Sequence, residues 1–489
     1  MKKLYFLSFL MFLYGTIWAQ SEIDIVRYSV NPNNGSARVS AMGGAFGALG
    51  GDLSNMGNNP AGIGVFRKSE ISFTPYLNLA NTNSNQVSVQ KNSFQLGNLG
   101  MVTSLYLPNA KWRGYSFGIN YTNLNNFNRK TNQFIYNSPT NLPTVLANQA
   151  TIAHMYGEKM PIDSELGYKT HLIEWIAEEG KYDANLIAGE LVNQQKYILE
   201  EGYQGTYDFS FGANYQDILY LGASIGLQSI RYKYYSTYNE IAPLDSYYEI
   251  DQYNYRQFLT SEAVGTNFKV GAIFRPIPEL RLGFSIHTPT YFSFSEDYES
   301  DMYAQFFTPD TDGKDSYSAS TPLSHYTYDM QTPWKMVFSV ATILGQRAIF
   351  SLDYELNNYK SAKFSDNEGY YDYSDINRDI NNYLTNTHNV RMGAEYRVNS
   401  LFSLRAGYAY WASPYRYSQA GKIQSISGGL GLNFGSFYCD AAYIYQHSSN
   451  TTHFYNYIDP EDEIYDVIAD PVKNKYNTHE IKFTLGIRF

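Results

Sequence analysis

The final stretch of the chain, residues 479–489, reads HEIKFTLGIRF, so that Ile481, Phe483, Leu485, Ile487 and Phe489 alternate with Lys482, Thr484, Gly486 and Arg488. A period of two puts one set on each face of a strand. The pattern recurs at 390–398, where Val390, Met392, Ala394, Tyr396 and Val398 alternate with Arg391, Gly393, Glu395 and Arg397. Beyond residue 19 no apolar run approaches the roughly eighteen residues of a spanning helix, so a membrane is crossed here by strands or not at all. An arginine facing lipid at the midplane of a barrel costs roughly 2–4 kcal/mol. That cost assigns Arg391, Arg405 and Arg488 to the inside of a barrel and Leu404, Met392, Phe338 and Leu485 to its outside.

Segments of this kind fall at 70–81, 93–107, 114–126, 202–215, 219–235, 263–275, 280–294, 331–343, 347–359, 388–398, 401–411, 422–434, 437–447 and 478–489, about fourteen strands in all. Links 108–113, 216–218, 276–279, 344–346, 399–400 and 435–436 are short. Links 129–201, 236–262, 295–330, 360–387 and 448–477 are long and rich in tyrosine, asparagine and acids. Short turns at one end, long loops at the other and an even strand number are the pattern of an outer-membrane barrel, with the long loops outside the cell. A soluble sandwich of two sheets gives no reason for that regularity. The 48 tyrosines and 17% aromatic content supply the interfacial girdles such a barrel carries. Within the longest loop, 171–179 and 184–200 hold apolar residues, among them Leu186, Ile187, Leu191, Tyr197 and Ile198, at helical spacing. That spacing predicts helices over the barrel mouth.

The N-terminus carries two further signals. Residues 1–19 combine Lys2 and Lys3 with an apolar core and end at Trp18-Ala19, followed by Gln20, a signal peptide that directs export. Residues 35–64 then hold nine glycines in thirty positions and two charges, Arg38 and Asp52. That is too much glycine for a helix or strand and too apolar for a solvated linker. Met42, Phe46, Leu49, Met56 and Ile63 give the segment apolar contacts, which predicts a packed element surrounded by the rest of the chain.

The run SAR-x-x-AMGGAF from Ser36 to Phe46, followed by Asn59-Pro60-Ala61-Gly62, resembles the N-terminal hatch of the FadL/TodX family of outer-membrane transporters of hydrophobic compounds. Thr332-Pro333-Trp334-Lys335, Gly393-Ala394-Glu395-Tyr396-Arg397 and Leu404-Arg405-Ala406-Gly407-Tyr408 are similar to further blocks of that family. The resemblance implies an all-β fold: a transmembrane antiparallel barrel over 69–489 with residues 20–68 as a hatch inside the lumen. It implies passive uptake of hydrophobic molecules such as long-chain fatty acids, released sideways through the barrel wall. It further implies hatch or gating roles for Asn59, Pro60, Ala61, Gly62, Phe46 and Met42, with the proline turn beside a kink in the third strand near Gly114, Gly118 and residues 123–128. The terminal Phe489 resembles the signal read by the barrel assembly machinery. The partners so implied are a hydrophobic ligand and the lipid of a Gram-negative outer membrane.

Other chemistries leave little trace. The net charge of −10 and pI near 5.4 argue against nucleic acid. Cys439 is the only cysteine and falls at an outward strand position. The eight histidines lack metal-ligand spacing, and there is neither a GxSxG elbow nor a P-loop. His287 and Asp353 are expected inward, without a serine signature beside them, so the reading is no enzyme, no metal and no cofactor. The acidic run 459–463 has calcium-ligand chemistry and reads equally as a solvated face. The alternative function is a structural or adhesive barrel whose Tyr-rich loops bind a surface partner without transport.

Overall fold

The computed structural model describes residues 20–32, 35–85, 87–184, 191–242, 250–366, 369, 371–458 and 466–489. The leader, Leu186, Ile187 and the acidic run 459–463 lie outside the described residues.

Fourteen strands hydrogen-bond in chain order. They are β1 (Glu70–Ser84), β2 (Val87–Tyr106), β3 (Trp112–Asn126, continued by Arg129–Ser138), β4 (Val192–Tyr215), β5 (Leu219–Ile241), β6 (Ile250–Ile277) and β7 (Leu280–His287, continued by Tyr291–Phe306). Then follow β8 (Ser324–Gln331, continued by Trp334–Leu344), β9 (Ala348–Asn358), β10 (Asn386–Arg397), β11 (Phe402–Trp411), β12 (Ile423–Asn433), β13 (Phe437–Thr452) and β14 (Val472–Arg488). Neighbours run antiparallel, and β1 pairs with β14, Glu70 opposite Arg488, which closes the ring.

Closure follows from the alternation. On β9, Phe350, Leu352 and Tyr354 are exposed outside while Ser351, Asp353 and Glu355 are buried inside. Leu404, Met392, Phe338 and Leu485 stand on the apolar exterior, and Cys439 faces outward beside Phe437. Arg405 reaches Asp440 inside at 2.6 Å and Arg488 reaches Glu70 at 2.8 Å. A closed ring that is apolar outside and polar inside pairs its backbone from strand to strand, the condition for spanning a membrane with strands. No described helix is long and apolar enough to do so. Two of the short links are three-residue turns in which φ is positive at consecutive residues, Gln216 and Asp217 (56° and 60°), and Gly345 and Gln346 (54° and 57°). That geometry matches the twist of the flanking strands.

At the long-loop end the strands run further than the alternation indicates. β4, β5 and β6 are 24, 23 and 28 residues long, where roughly 9–11 cross a bilayer. Among the described residues five α-helices accompany the strands: α1 (Glu22–Ser29), α2 (Ala37–Ala41), α3 (Leu142–Met155), α4 (Ile162–Lys169) and α5 (Ser374–Tyr383). The helix expected at 171–179 is replaced by a strand and a turn, and the described part of the helix expected at 184–200 is strand, residues 185–190 lying outside the described residues. Ile173–Ile176 forms a small hairpin with Lys181–Ala184, and 192–200 belongs to β4, with Ile198 opposite Ser236 and Leu199 opposite Tyr235. There a continuous β5 partner outweighed a weak helical period. The helices of this loop, α3 and α4, cover the mouth, with Leu146, Leu166 and Ile173 in one apolar cluster with Tyr253, Met302 and Tyr455.

Candidate functional site

The glycine-rich segment lies within the ring. Each of its short helices starts at a side-chain cap: Ser36 accepts from Val39 N–H for α2, Asp52 from Ser54 N–H for Leu53–Gly57, and Asn59 from Ala61 N–H for Pro60–Val65. The pieces are tied together by Ser36 Oγ donating to Asp52 (2.7 Å) and Asn59 Nδ2 donating to the Gly47 carbonyl (2.6 Å). The wall holds them from many sides. Arg38 pairs with Glu395 at 2.9 Å, and Glu395 also receives Arg405 at 2.8 Å. Asp353 accepts the Gly47 N–H at 3.0 Å and the Phe46 N–H at 3.2 Å. Thr484 Oγ1 accepts the Ala37 N–H at 2.7 Å, and Arg281 donates to the Leu49 carbonyl.

Glycine serves backbone-to-backbone contact here. A Cβ on Gly407 of β11 would overlap Gly43 N and Met42 C, and one on Gly222 of β5 would overlap the carbonyl of Pro60.

Met42 and Phe46 are fully buried in a cluster with Val39, Leu49, Ala341 and Ile349. Asn59, Pro60, Ala61 and Gly62 are buried as well, but against β5 and β6. Asn59 meets Gly271 and donates to the Ala272 carbonyl at 3.4 Å, and Ala61 packs with Tyr220 and Ile273. The proline turn therefore does not sit at the third-strand kink. That irregularity exists, a register shift between Asn123 and Asn125, and Asn125 Nδ2 lies 3.4 Å from the carbonyls of Arg27 and Val30, at the end of α1. Gly222 and Gly271 give the proline turn a backbone-level seat that β3 lacks. Phe489 is two-thirds exposed and exchanges backbone hydrogen bonds with Ser69 at 2.9 and 3.1 Å. His287 and Asp353 do point inward, and both hold the glycine-rich segment: His287 Nε2 donates to the Asn58 carbonyl at 2.8 Å.

The wall is incomplete between β2 and β3. Their ladder runs from Tyr106 opposite Gly114 to Asn98 opposite Thr122 and stops. Above it β2 continues on β1 alone, and the continuation of β3 pairs only with β4. Side chains bridge the break: Gln95 accepts from Asn123 at 3.0 Å and donates to Asn126 at 3.2 Å, and Asn126 donates to Ser93 at 3.1 Å. Pro75 and Gly97 sit at a bulge beside it. Proline has no N–H to donate, and the β1–β14 ladder accordingly skips from Phe73–Leu485 to Tyr76–Lys482.

Above the glycine-rich segment, α1 crosses the lumen. Ser21 and Asp24 form a capping box at its start. Ile25, Val26 and Tyr28 are buried, Tyr28 among Phe127, Tyr232 and Phe294. Burial pushes the Glu22 carboxyl up to about 7, with Asp24 and Asp379 adding to the rise. Two cavities flank the segment that follows. One, of about 350 Å³, is bounded by Val26, Val30, Pro32 and Tyr76 on one side and by Arg129, Glu200, Glu480 and Lys482 on another, and reaches Gly97 and Asn123 at the wall break. The other, about 120 Å³ and polar, stands on Gly57 and Asn58 between β4, β6, β7, β9 and β10.

No protein-family model matches the chain, and no curated protein does. Among solved structures, it matches a FadL homologue of Pseudomonas aeruginosa with a TM-score of 0.56 over 94% of this chain and 100% of that one, at 12% identity. It matches the P. putida toluene transporter TodX with a TM-score of 0.51 over 94% and 99%, at 11% identity. At these identities the likeness is one of fold: the chain has the fourteen-stranded barrel fold of these proteins.

Proposed function

We propose that this chain, given that shared fold, is a channel of a Gram-negative outer membrane for passive uptake of hydrophobic small molecules such as long-chain fatty acids. The observation that carries the reading is the cavity of about 350 Å³ that meets apolar residues of the inner segment on one side and the β2–β3 break on the other. The floor of the lumen is occupied by residues 36–66, so a straight aqueous path is blocked. A hydrophobic solute in that cavity is adjacent to a wall position where side-chain bonds replace the ladder, and lipid lies beyond. Sideways release avoids returning the solute to water, which apolar surface disfavours by roughly 25 cal/mol per Å².

In this reading residues 20–68 are the hatch. Met42 and Phe46 anchor it in the lumen, and Asn59, Pro60, Ala61 and Gly62 seat it on β5 and β6. Phe489 ends the strand that the assembly machinery reads. The ligand, rather than a reaction, is the object of the site, because the inward His287 and Asp353 are engaged with the hatch backbone. Proteoliposomes containing the protein should take up a labelled fatty acid faster than empty ones while excluding a labelled sugar. Equal rates with and without protein would favour the structural or adhesive alternative. Sugar entry would favour an open diffusion pore.

A further inference from the structure

The start of α1 meets more buried carboxylate than cation. Glu296, from the continuation of β7, is 1% exposed. Each hydrogen bond it accepts comes from a neutral group: Ser261 Oγ at 2.5 Å, Tyr328 Oη at 2.9 Å and Gln20 Nε2 at 2.9 Å. Among the described residues it takes part in no ion pair. Asp24 lies close enough to repel it and pairs with Arg27. The other charged neighbours do not redress the balance. Glu22 adds a negative charge and is faced by Asp379 of α5, while Arg129 is engaged with Glu200 at 2.6 Å. Asp24 and Glu296 therefore share one guanidinium in a buried site, an imbalance that desolvation penalises until a second cation is supplied.

The chain's own N-terminus is placed to supply it. Gln20 is buried between the two carboxylates: its side-chain amide donates to Glu296, and the N–H of the next residue, Ser21, donates to Asp24 Oδ2 at 2.9 Å. Adjacent backbone nitrogens are at most about 3.7 Å apart, so the Gln20 nitrogen is held within about 7 Å of Asp24 Oδ2. Tyr28, 1% exposed, brings to the same pair of carboxylates a hydroxyl that has no hydrogen-bond partner among the described residues. Cleavage after Ala19, where the leader ends, turns the Gln20 nitrogen into an ammonium with three donors and no acceptor. Asp24, Glu296 and the Tyr28 oxygen are three acceptors.

We propose that removal of the leader creates the missing counter-charge: the α-ammonium of Gln20 docks between Asp24 and Glu296 and holds α1 across the lumen. The site is a receptor for the protein's own new N-terminus, so α1 locks in the processed chain alone. Because Ile23, Val26 and Arg27 line the cavity of about 350 Å³, the lock also fixes one wall of that cavity. The inference rests on cleavage after Ala19 and stands apart from the uptake reading.

The test is competitive labelling of the purified, full-length mature protein with acetic anhydride across neutral and mildly alkaline pH. Mass spectrometry of the N-terminal peptide then reads both the first residue and its acetylation. A free α-amine titrates at about 7.7–8.0, and one bound by carboxylates keeps its proton to higher pH. At about pH 8 Gln20 should therefore acetylate at least about tenfold more slowly in the folded protein than in a synthetic peptide of the same N-terminal sequence. Glu296→Gln, which keeps the size of the side chain and removes its charge, should bring the two rates to within about threefold and speed hydrogen exchange of the α1 amides. Inserting one alanine before Gln20 displaces the ammonium by up to about 3.8 Å and should have the same effect, with barrel folding checked by heat-modifiable migration. Gln20 as reactive in the folded protein as in the peptide overturns the proposal, as does a first residue other than Gln20 or a pyroglutamyl one, which has no ammonium. Slow labelling that persists in Glu296→Gln overturns it too, because burial alone then accounts for the protection.

Discussion

Gly222 offers a sharp perturbation of the lumen. A Cβ there would overlap the carbonyl carbon and oxygen of Pro60 and lie 2.5 Å from Ala61 N. All three are backbone atoms, so no side-chain rotation relieves the clash, and Gly222→Val obliges the 60–61 turn to move by about an ångström from β5. The ladder itself accepts valine readily. The movement strains the Asn59 bonds to the Gly47 and Ala272 carbonyls, at 2.6 and 3.4 Å. Overpacking of this kind costs roughly 1–3 kcal/mol, which multiplies the population of a displaced segment by about 5- to 150-fold. Gly114→Ala is the control, since its Cβ would meet its nearest neighbour, Asn214 Cβ, at an ordinary 3.4 Å. In planar bilayers the parent and Gly114→Ala should stay in a low-conductance state, and Gly222→Val should add larger openings. If Gly222→Val traces match those of the control while the barrel is folded, the seat on β5 does not hold the segment and the reasoning fails.

Three further outcomes are expected. Leu404→Arg, which adds a charge to the outer face, should lower unfolding stability in lipid by roughly 2–4 kcal/mol at the midplane; denaturant titration measures it, and an unaltered midpoint would mean that Leu404 does not face lipid. Pro75→Val restores an N–H toward β14 beside the break and should reduce fatty-acid uptake several-fold with the barrel intact, whereas unchanged uptake would place the route elsewhere. Glu22 titrates near 7 when α1 is docked, against 4.5 for a free side chain, so the docked form holds its proton more tightly. Docking is therefore strongest below about pH 4.5 and weakens as pH rises to 7; hydrogen exchange of the α1 amides should speed up across that window, and Glu22→Gln should flatten the change.

The strands were legible where one face meets lipid and the other water, because that contrast writes a period of two. At the turn ends the expected positions agree with the observed ones: Leu219, Leu280 and Phe437 begin strands as the alternation indicates. Above the belt the contrast disappears. Tyr235 and Tyr238 lie on β5 where both faces carry tyrosine and polar residues, so the ladder from 236 to 241 reads as loop. The same loss of contrast made 192–200 resemble a helix. Asn141 with Pro143, and Ser21 with Asp24, are helix-start signals that mark α3 and α1 in the sequence. Glycine density pointed to a surrounded element, but its wall partners depend on which strand glycines lie opposite, and no local pattern encodes that. Pro75 inside a strand was the available sign of the wall defect; Gln95, Ser93 and Asn126 become meaningful only once β2 and β3 are seen to part.

The inner segment also bears on how the ring comes to close. Its seam joins Glu70 to Arg488, 418 residues apart, and loop-closure entropy for such a span is about 5 kcal/mol before any constant term. The segment precedes β1, yet it bonds to Thr484 on β14, Glu395 on β10, Asp353 on β9 and Ala272 on β6. Each attachment divides the long loop into shorter ones and holds β14 near β1 before they pair. Residues 36–66 thus act as a mandrel around which strands wrap. A chain lacking them should close late, accumulating as an open sheet with both edges unpaired and available to neighbouring molecules.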